Sequence, residues 1–298
     1  EPTPDSPLDS PILDFVRRCA PSSKGGKMME GFYRQLQATD PRQLPMEAKR
    51  LRIRTTGGPR VHGDQSAGGA EVIGKDGGSG NELGAPSFEP VEEEWLVCSS
   101  LGRGAKRVCD MCLTPEGRQM KLMPWGGVAA RIASSKEAQI DASAISSGEK
   151  PLHTIHNDTG STAASARDAK GVKAMDGRAF CFLPLPTHTG LPVHVNAYFE
   201  LSSNRRDIWT GGDMVGVGRM RSDWNVALLQ DVVAPSYGQM LLYARTIVPK
   251  ISDFYQLWPQ AQPAEPWAGM VSVLYRVLAQ QPLLHSEYDG GKWVTAVE

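Results

Sequence analysis

The sequence lacks an excess of charge of either sign. Its 298 residues include 32 Lys and Arg against 33 Asp and Glu, which leaves a formal net charge of -1. Proteins whose main partner is a nucleic acid or an anionic membrane usually carry a clear excess of basic residues. We therefore expect neither a nucleic acid nor a membrane among the partners.

Long apolar runs and export signals are also missing. No apolar stretch reaches the roughly 20 residues that a membrane-spanning helix needs. The first residues, EPTPDSPLDSP, have neither the basic nor the apolar region of a signal peptide. The cysteines number five and are scattered, which is not typical of a secreted disulfide framework. We expect a cytoplasmic location and, because the sequence begins at Glu1 rather than Met, a segment of a longer polypeptide.

Complete motifs of common enzymes are absent. The sequence contains neither a Walker A motif nor a G-x-S-x-G elbow. DGGSG, at 76–80, matches the D-x-G-x-G pattern of GHKL-type ATPases, but no helix before it supplies the Glu and Asn that hold magnesium and water in that class. GVGRMR, from Gly216, lacks the third glycine and the leading strand of a dinucleotide site. The sequence therefore predicts no complete catalytic site and no cofactor held by this chain itself.

The pair Cys109 and Cys112, in the sequence CDMC, is half of a zinc site. A second close pair would be needed, and His153 and His156 have a usable spacing but lie in a stretch rich in Ser, Ala, Gly and Lys. A redox pair would be followed by an uninterrupted helix, whereas Pro115 breaks this one. We therefore expect no metal site and no redox site.

Composition divides the chain into five parts. Two stretches are rich in Gly and Ser and poor in large apolar residues, so they offer little surface to bury and are predicted to be disordered low-complexity insertions. The predicted parts are a linker with short helices at 1–54, an insertion at 55–90, a strand-rich part at 91–133, an insertion at 134–176 and a core at 177–298.

Several segments show the patterns of strands. EEEWLVCSSLG and RQMKLMPWGGVAARIA predict strands, separated by a basic turn region that contains the CDMC sequence. GRAFCFLPLP is an uninterrupted apolar run and predicts a strand buried on both faces. From Val193 to Leu201, apolar residues alternate with His194, Asn196, Tyr198 and Glu200, which predicts a half-buried strand.

Helical patterns follow the strands. Ser222 is expected to cap a helix with an apolar stripe, and Pro235 is expected to break or kink it. A last helix is predicted to start at Pro266 and to bury a stripe of residues at helical spacing, namely Trp267, Met270, Val271, Leu274 and Leu278. Strands followed by packed helices predict an α+β fold.

The strand that ends at Leu201 runs into the loop SSNRRDIW. Loops held by a rigid scaffold often carry binding groups, and the guanidiniums of Arg205 and Arg206 suit an anionic ligand, above all phosphate. The alternative is that the two arginines are a solvated pair beside Asp207. The charge pattern alone leaves both interpretations open.

A longer pattern surrounds this loop. GRAFCFLPLPTHTGLPVHVNAYFELSSNRRDIWTGGDM followed by RSDWNVALLQDVVAPSYGQML resembles the sacsin-type repeat family. The resemblance covers 177 to about 246. It is specific, because several consecutive segments agree in order and spacing. EEEWLV, KLMPWGGVAARI and GGKWV resemble flanking parts of the same repeat more weakly. The insertions at 55–90 and 134–176 depart from the family.

The resemblance implies more than the residue patterns do. Sacsin-type repeats are similar to large heat-shock chaperones, in which a GHKL-type ATP-binding domain precedes a middle domain. The resemblance therefore implies a middle-domain-like α+β fold and a role in a molecular chaperone or co-chaperone. ATP and magnesium would be bound by an upstream domain of the same polypeptide. Client proteins and other chaperones would be further partners.

In the heat-shock relatives, a strand-end arginine of the middle domain reaches the γ-phosphate of ATP. The resemblance implies this sensor role for Arg205 or Arg206, without deciding between them, with Asn204, Asp207 and Trp209 supporting the loop. Three alternatives stay open. The arginines could close on Asp207 or Asp213, the loop and an exposed Trp209 could bind a protein partner with no nucleotide role, or the CDMC cysteines could serve a metal or thiol enzyme.

Overall fold

The computed structural model describes residues 10–19, 28–55, 90–135, 175–210, 215–288 and 291–296. Apart from their end residues, the two predicted insertions, with DGGSG, His153 and His156, lie outside the described residues. Within the described ranges, none of the helices combines the length and apolar composition that crossing a membrane would require.

One mixed sheet forms the centre of the fold. Its strands are β1 (Met46–Thr55), β2 (Val91–Ser100), β3 (Gly126–Ser134), β4 (Arg178–Cys181), β5 (Leu183–His188) and β6 (His194–Ala197). They lie in the order β1-β2-β3-β6-β4-β5. Neighbouring strands are antiparallel except β4 and β6, which run parallel. A separate antiparallel pair joins β7 (Leu284–Ser286) to β8 (Lys292–Val294).

The described helices flank this sheet. Four of them come from the first half of the chain: α1 (Pro11–Arg18), α2 (Met28–Ala38), α3 (Lys106–Leu113) and α4 (Pro115–Gln119). The later ones are α5 (Val217–Leu228), α6 (Ala234–Ile247), α7 (Ile251–Tyr255) and α8 (Trp267–Leu278). This arrangement of a mixed sheet with packed helices confirms the predicted α+β class.

The core lies between the sheet and the later helices. Leu96 and Cys98 of β2 alternate with more exposed residues, as do Val128 and Ala130 of β3. Helix α6 packs against both strands and contributes the buried Tyr237. Burial of one apolar side chain such as Leu96 stabilises the fold by about 1.5–3 kcal/mol, so this layer holds the sheet and the helices together.

The helix predictions are confirmed at α8 and wrong at the start of α5. Helix α8 follows Pro266 directly and buries the five predicted residues Trp267, Met270, Val271, Leu274 and Leu278. Helix α5 begins at Val217 after Gly216, whose φ of 62° suits a glycine and sets the chain direction before the first turn. Ser222 therefore lies inside the helix and does not cap it.

The expected interruption at Pro235 takes the form of a π turn. Residues Leu229–Val233 are π-helical and join α5 to α6 without a break. Proline has no amide hydrogen to donate, and its ring would clash with the carbonyl four residues earlier in a regular α-helix. A widened turn relieves that clash and lets the helix continue.

The segment GRAFCFLPLP is not one buried strand, so that prediction is wrong. The chain reverses at Phe182, whose φ is 60°, and Cys181 pairs with Leu183 across the reversal. The resulting strand β5 lies at the edge of the sheet. Pro184 and Pro186 fit there because an edge strand has no partner for half of its backbone donors.

Two further elements differ from the sequence-based predictions. Strand β1 was not predicted, because MEAKRLRIRT is dominated by charged residues. Its arginines pair across to β2, for example Arg52 Nε with Glu94 Oε1 at 2.8 Å, so that charge pairing replaces an apolar pattern. The second difference is the CDMC sequence, which the sequence pattern predicts to be a turn and which lies in helix α3.

Candidate functional site

The loop that follows β6 is a narrow hairpin. Its two legs meet at Leu201 and Ile208, which form an isolated antiparallel bridge. The backbone amide of Ser202 donates to the carbonyl of Asp207 at 2.9 Å, and the amide of Arg205 donates to the carbonyl of Ser202 at 2.8 Å. We call residues 201–208 the arginine hairpin. Its backbone is closed by hydrogen bonds rather than left open to solvent.

The tip of the arginine hairpin is organised by Asn204. The hydroxyl of Ser202 donates to Asn204 Oδ1 at 2.6 Å, and the amide of Arg206 donates to the same oxygen at 3.0 Å. Ser202 Oγ in turn accepts the amide of Asp207 at 3.2 Å. Short polar side chains commonly stabilise turns in this way. Arg205 occupies the left-handed region, with φ 57°, which places the two arginines on a sharp bend.

Both guanidiniums at this tip are exposed. Among the described residues, no carboxylate forms an ion pair with Arg205 or Arg206, and Asp207 pairs with neither. Asp213, the other expected partner, lies outside the described residues. Within the described part of the chain, neither arginine is therefore held in an ion pair.

Asn225 of helix α5 holds the base of the arginine hairpin. Its Oδ1 accepts the amide of Glu200 at 2.8 Å, and its Nδ2 donates to the carbonyls of Glu200 at 2.7 Å and Trp209 at 2.8 Å. The side chain is 0% exposed, so water cannot replace these bonds. One buried amide thus ties both legs of the hairpin to the helix.

Trp224 and Arg221 complete this support. Trp224 is buried, and its Nε1 donates to the carbonyl of Tyr198 at 2.9 Å. The guanidinium of Arg221 lies 5.5 Å from the ring of Trp209, and its Nε lies 3.3 Å from Glu200 Oε2. Burial raises the pKa of Glu200, and the charge of Arg221 opposes that rise.

The five predicted site residues therefore have different surroundings. The structure brings Asn204, Arg205, Arg206 and Asp207 together at the exposed tip, whereas Trp209 lies at the base and is partly buried. The hypothesis that the loop and an exposed Trp209 bind a protein partner assumes a side chain that is more accessible than the structure shows. Trp209 instead packs beneath Arg221.

Sequence patterns did not identify Asn225 as a site residue. A signal was present, because Asn225 occupies the apolar stripe of its helix, four residues before the buried Leu229. A polar residue in such a stripe must find hydrogen-bond partners when it is buried. Its position next to the buried Trp224 was a second indication of a structural role.

The cysteines of the CDMC sequence lie apart from the arginine hairpin, in α3. Both thiols are buried, and burial raises the pKa of Cys109 to about 12 and the pKa of Cys112 further. Within the described residues, no three His, Cys, Asp or Glu side chains lie close enough together to hold a metal ion. Protonated, buried thiols of this kind are poor nucleophiles.

Comparison with known proteins identifies one related region. Human sacsin is 52% identical to this chain over 65 residues. The match covers 22% of this chain and 1% of the length of sacsin. No family model matches the sequence, and no solved structure matches the fold. The comparison confirms that the chain contains a sacsin-related region, which is a very small part of its relative.

Proposed function

We propose that the chain is a segment of a sacsin-like, cytoplasmic molecular chaperone or co-chaperone. In this proposal it acts as a middle-domain-like segment that couples an upstream ATP-binding domain of the same polypeptide to the binding of client proteins and other chaperones. The match to human sacsin supports the relationship to that protein. The arginine hairpin is proposed to contact the γ-phosphate of ATP, with magnesium, held by the upstream domain.

One observation carries the proposed role of the hairpin. Arg205 and Arg206 are exposed, have no described carboxylate as a partner, and lie on a loop that Asn225 fixes at both legs. A planar guanidinium can donate two parallel hydrogen bonds to a phosphate group. A loop that is already fixed loses less conformational entropy when it makes such a contact.

The chemistry of phosphoryl transfer gives this contact a purpose. Negative charge on the oxygens of the transferred phosphoryl group must be stabilised in the transition state, and arginines commonly do so. ADP has no γ-phosphate to contact. The hairpin would therefore distinguish the two nucleotide states and report them to the rest of the segment through Asn225 and α5.

The test uses the full polypeptide that includes the ATP-binding domain. Arg205→Ala and Arg206→Ala are compared with Arg276→Ala, which removes an exposed arginine from α8. We expect at least one hairpin variant to lower ATP turnover roughly ten- to thousandfold, at an unchanged melting temperature. The Arg276 variant should match the wild type. Unchanged turnover in both hairpin variants would remove the proposed role.

A protein-interaction module with no nucleotide role is the second candidate. The observation that favours it is the exposed pair Phe182 and Leu183 near the arginine hairpin, because aromatic residues and arginine are enriched in interfaces. This candidate predicts a different result. The arginine variants would weaken the binding of a protein partner and leave ATP turnover unchanged.

A further inference from the structure

The two edges of the six-stranded sheet differ in what they offer to another strand. At one edge, β5 carries Pro184 and Pro186, which have no amide hydrogen to donate. At the other edge, β1 is ten residues long and contains no proline. Among the described residues, no backbone group bonds to the outer side of β1. An edge of this kind can accept a further strand.

The second half of β1 is the accessible part of this edge. Helix α1 contacts β1, and the hydroxyl of Ser10 donates to Glu47 Oε2 at 2.7 Å near the start of the strand. Residues 50–55 are all exposed. We call residues 50–55 the cationic edge, because three of them are arginines. Their number matches the usual length of a strand, about 5–6 residues.

The cationic edge presents different side chains on its two faces. Side chains alternate between the faces along a strand, so the arginines share one face, and Leu51 and Ile53 share the other. Leu51 is 39% exposed, Ile53 is 43% exposed, and Leu51 lies opposite Trp95 of β2. A strand added here would therefore meet guanidiniums on one face and apolar side chains on the other.

The arginine face has more cations than its neighbour β2 has carboxylates to pair with them. Arg50 Nη2 and Arg52 Nε both pair with Glu94. Arg54 Nε lies 3.7 Å from Glu92 Oε1, so two carboxylates serve three guanidiniums, each with several donors. The hydrogen bond from Arg50 lowers the pKa of Glu94, burial opposes this effect, and Arg52 adds to it. These surroundings favour a further carboxylate beside the arginines.

The charges also restrict which strand can be added. Strand β1 has four cationic residues and one carboxylate, Glu47. Two copies of β1 would place cations opposite or beside cations, which destabilises a strand pair. Charges on an edge strand often serve to prevent such pairing. They do not oppose an acidic strand, and β2 shows the fitting pattern, because two of its glutamates lie directly opposite arginines of β1.

We infer that the cationic edge binds an extended segment of another protein in which acidic and apolar residues alternate. The backbone of that segment pairs with the outer side of β1, its carboxylates face the three arginines, and its apolar side chains lie against Leu51 and Ile53. Backbone hydrogen bonds supply the affinity and the alternating side chains supply the selectivity. This inference is independent of the nucleotide role proposed for the arginine hairpin, which follows β6.

The experiment measures the binding of fluorescent peptides to the full chain by anisotropy. The acidic peptide alternates glutamate and valine, and the basic peptide has lysine in place of glutamate. The methylated peptide is the acidic peptide with every backbone amide methylated, which keeps its charges but removes the donors that strand pairing needs.

The protein variants locate the binding at the cationic edge. Arg52→Glu reverses the charge of a side chain that is 79% exposed. Arg52→Gln removes that charge without adding repulsion, in case the reversal destabilises β1. Arg17→Glu is the matched control, because Arg17 is an ion-paired arginine of α1 whose side chain is 63% exposed.

We expect the acidic peptide to bind the wild type, and the basic and methylated peptides to bind at least about tenfold more weakly. Arg52→Gln should weaken binding of the acidic peptide about two- to fivefold, the range for one exposed ion pair, at an unchanged melting temperature. Arg52→Glu should weaken it further and should bind the basic peptide more tightly than the wild type does. The Arg17 variant should match the wild type.

Four results would overturn the inference. Equal binding of the methylated peptide would show that charge attraction alone explains the affinity. Equal binding of the acidic peptide by the wild type and both Arg52 variants would place the contact elsewhere. Absence of binding to the wild type would also overturn it, whether the edge stays bare or another segment of the same chain covers it. A dimer of the chain that the acidic peptide dissociates would show that a second copy occupies the edge.

Discussion

Asn225 and Glu200 exchange two hydrogen bonds, one in each direction. Asn225 Oδ1 accepts the amide of Glu200 at 2.8 Å, and Asn225 Nδ2 donates to the carbonyl of Glu200 at 2.7 Å. This is the pattern that a neighbouring strand would supply in an antiparallel pair. Regular strand pairing of β6 ends at Ala197, so a helix side chain takes over the role of a strand at the base of the arginine hairpin.

Removal of this side chain should be costly. Asn225→Ala takes the partner from the amide of Glu200 and the carbonyl of Trp209, while the carbonyl of Glu200 still accepts the amide of Trp209. We expect this loss at a buried helix position to lower the free energy of unfolding by about 2–4 kcal/mol. Asn225→Asp keeps the acceptor but loses both donors, so it should also destabilise the protein. Urea denaturation measures the change. Asn204→Ala, at the exposed tip, is the control and should cost less than about 1 kcal/mol; an equal loss in both alanine variants would contradict this assignment.

His194 should make stability depend on pH. Its Nδ1 accepts the amide of Arg178 at 3.0 Å, which requires that nitrogen to be unprotonated. Burial lowers the pKa of His194 below 6.5, and the charges of Arg178 and Arg131 add to this effect while Asp176 opposes it. The folded protein thus favours the neutral ring, so the stabilisation is present above pH 6.5 and is lost as pH falls through the lowered pKa.

The measurement for His194 is the free energy of unfolding at about pH 8 and about pH 5, on either side of the ordinary histidine range. His194→Gln retains a hydrogen-bond acceptor but cannot titrate. We expect this variant to lose less stability on acidification than the wild type does. An identical loss in the two proteins would show that other groups cause the pH dependence.

The cysteines should differ in their reactivity. Burial raises the pKa of Cys98 and of Cys109 to about 12, whereas Cys181 is only partly buried. At neutral pH we expect a thiol reagent to modify Cys181 first and the buried thiols only after unfolding. Cys181→Ser should abolish the early reaction. Rapid modification of Cys109 in the folded protein would contradict this expectation.

The absence of a metal at the CDMC sequence stays a prediction with its own test. We expect a chelator to leave the helical circular dichroism signal and the melting temperature unchanged. The thiols of Cys109 and Cys112 are buried and protonated, so the fold does not depend on a metal ion bound to them. Cys109→Ala should cost only the packing of a small apolar side chain. A loss of helical signal in the presence of chelator would show that a metal ion stabilises the fold.

Sequence patterns predicted the elements whose apolar residues recur at one regular spacing, that of a helix or of a strand. Helix α8 buries the residues that its spacing indicated, and the alternation around β6 places Val193, Val195, Ala197 and Phe199 in the core. Both predictions depend only on which face of an element is apolar. The arginine pair was noticed because the predicted strand leads into the loop that carries it, although β6 itself ends at Ala197.

Features that depend on tertiary contacts were not predicted. The reversal at Phe182 has no Gly, Asn or Asp to mark it, and it exists because Asn196 and Trp125 hold that residue in place. Strand β1 is stabilised by ion pairs that only its neighbour reveals. Asn225 gives no local sign of which backbone groups it will bind, because those groups lie 16 and 25 residues away in the sequence.

The central claim is that the arginine hairpin contacts the γ-phosphate of a nucleotide held by the ATP-binding domain. The most direct measurement is calorimetry of ADP and of a non-hydrolysable ATP analogue binding to the full polypeptide, in the wild type and in Arg205→Ala/Arg206→Ala. We predict that the double variant loses about ten- to a hundredfold in affinity for the ATP analogue, the range for one charged hydrogen bond. ADP affinity should stay unchanged, and lysines at both positions should restore only part of the loss. Equal affinities of the wild type and the double variant for the ATP analogue, at equal stability, would contradict the claim.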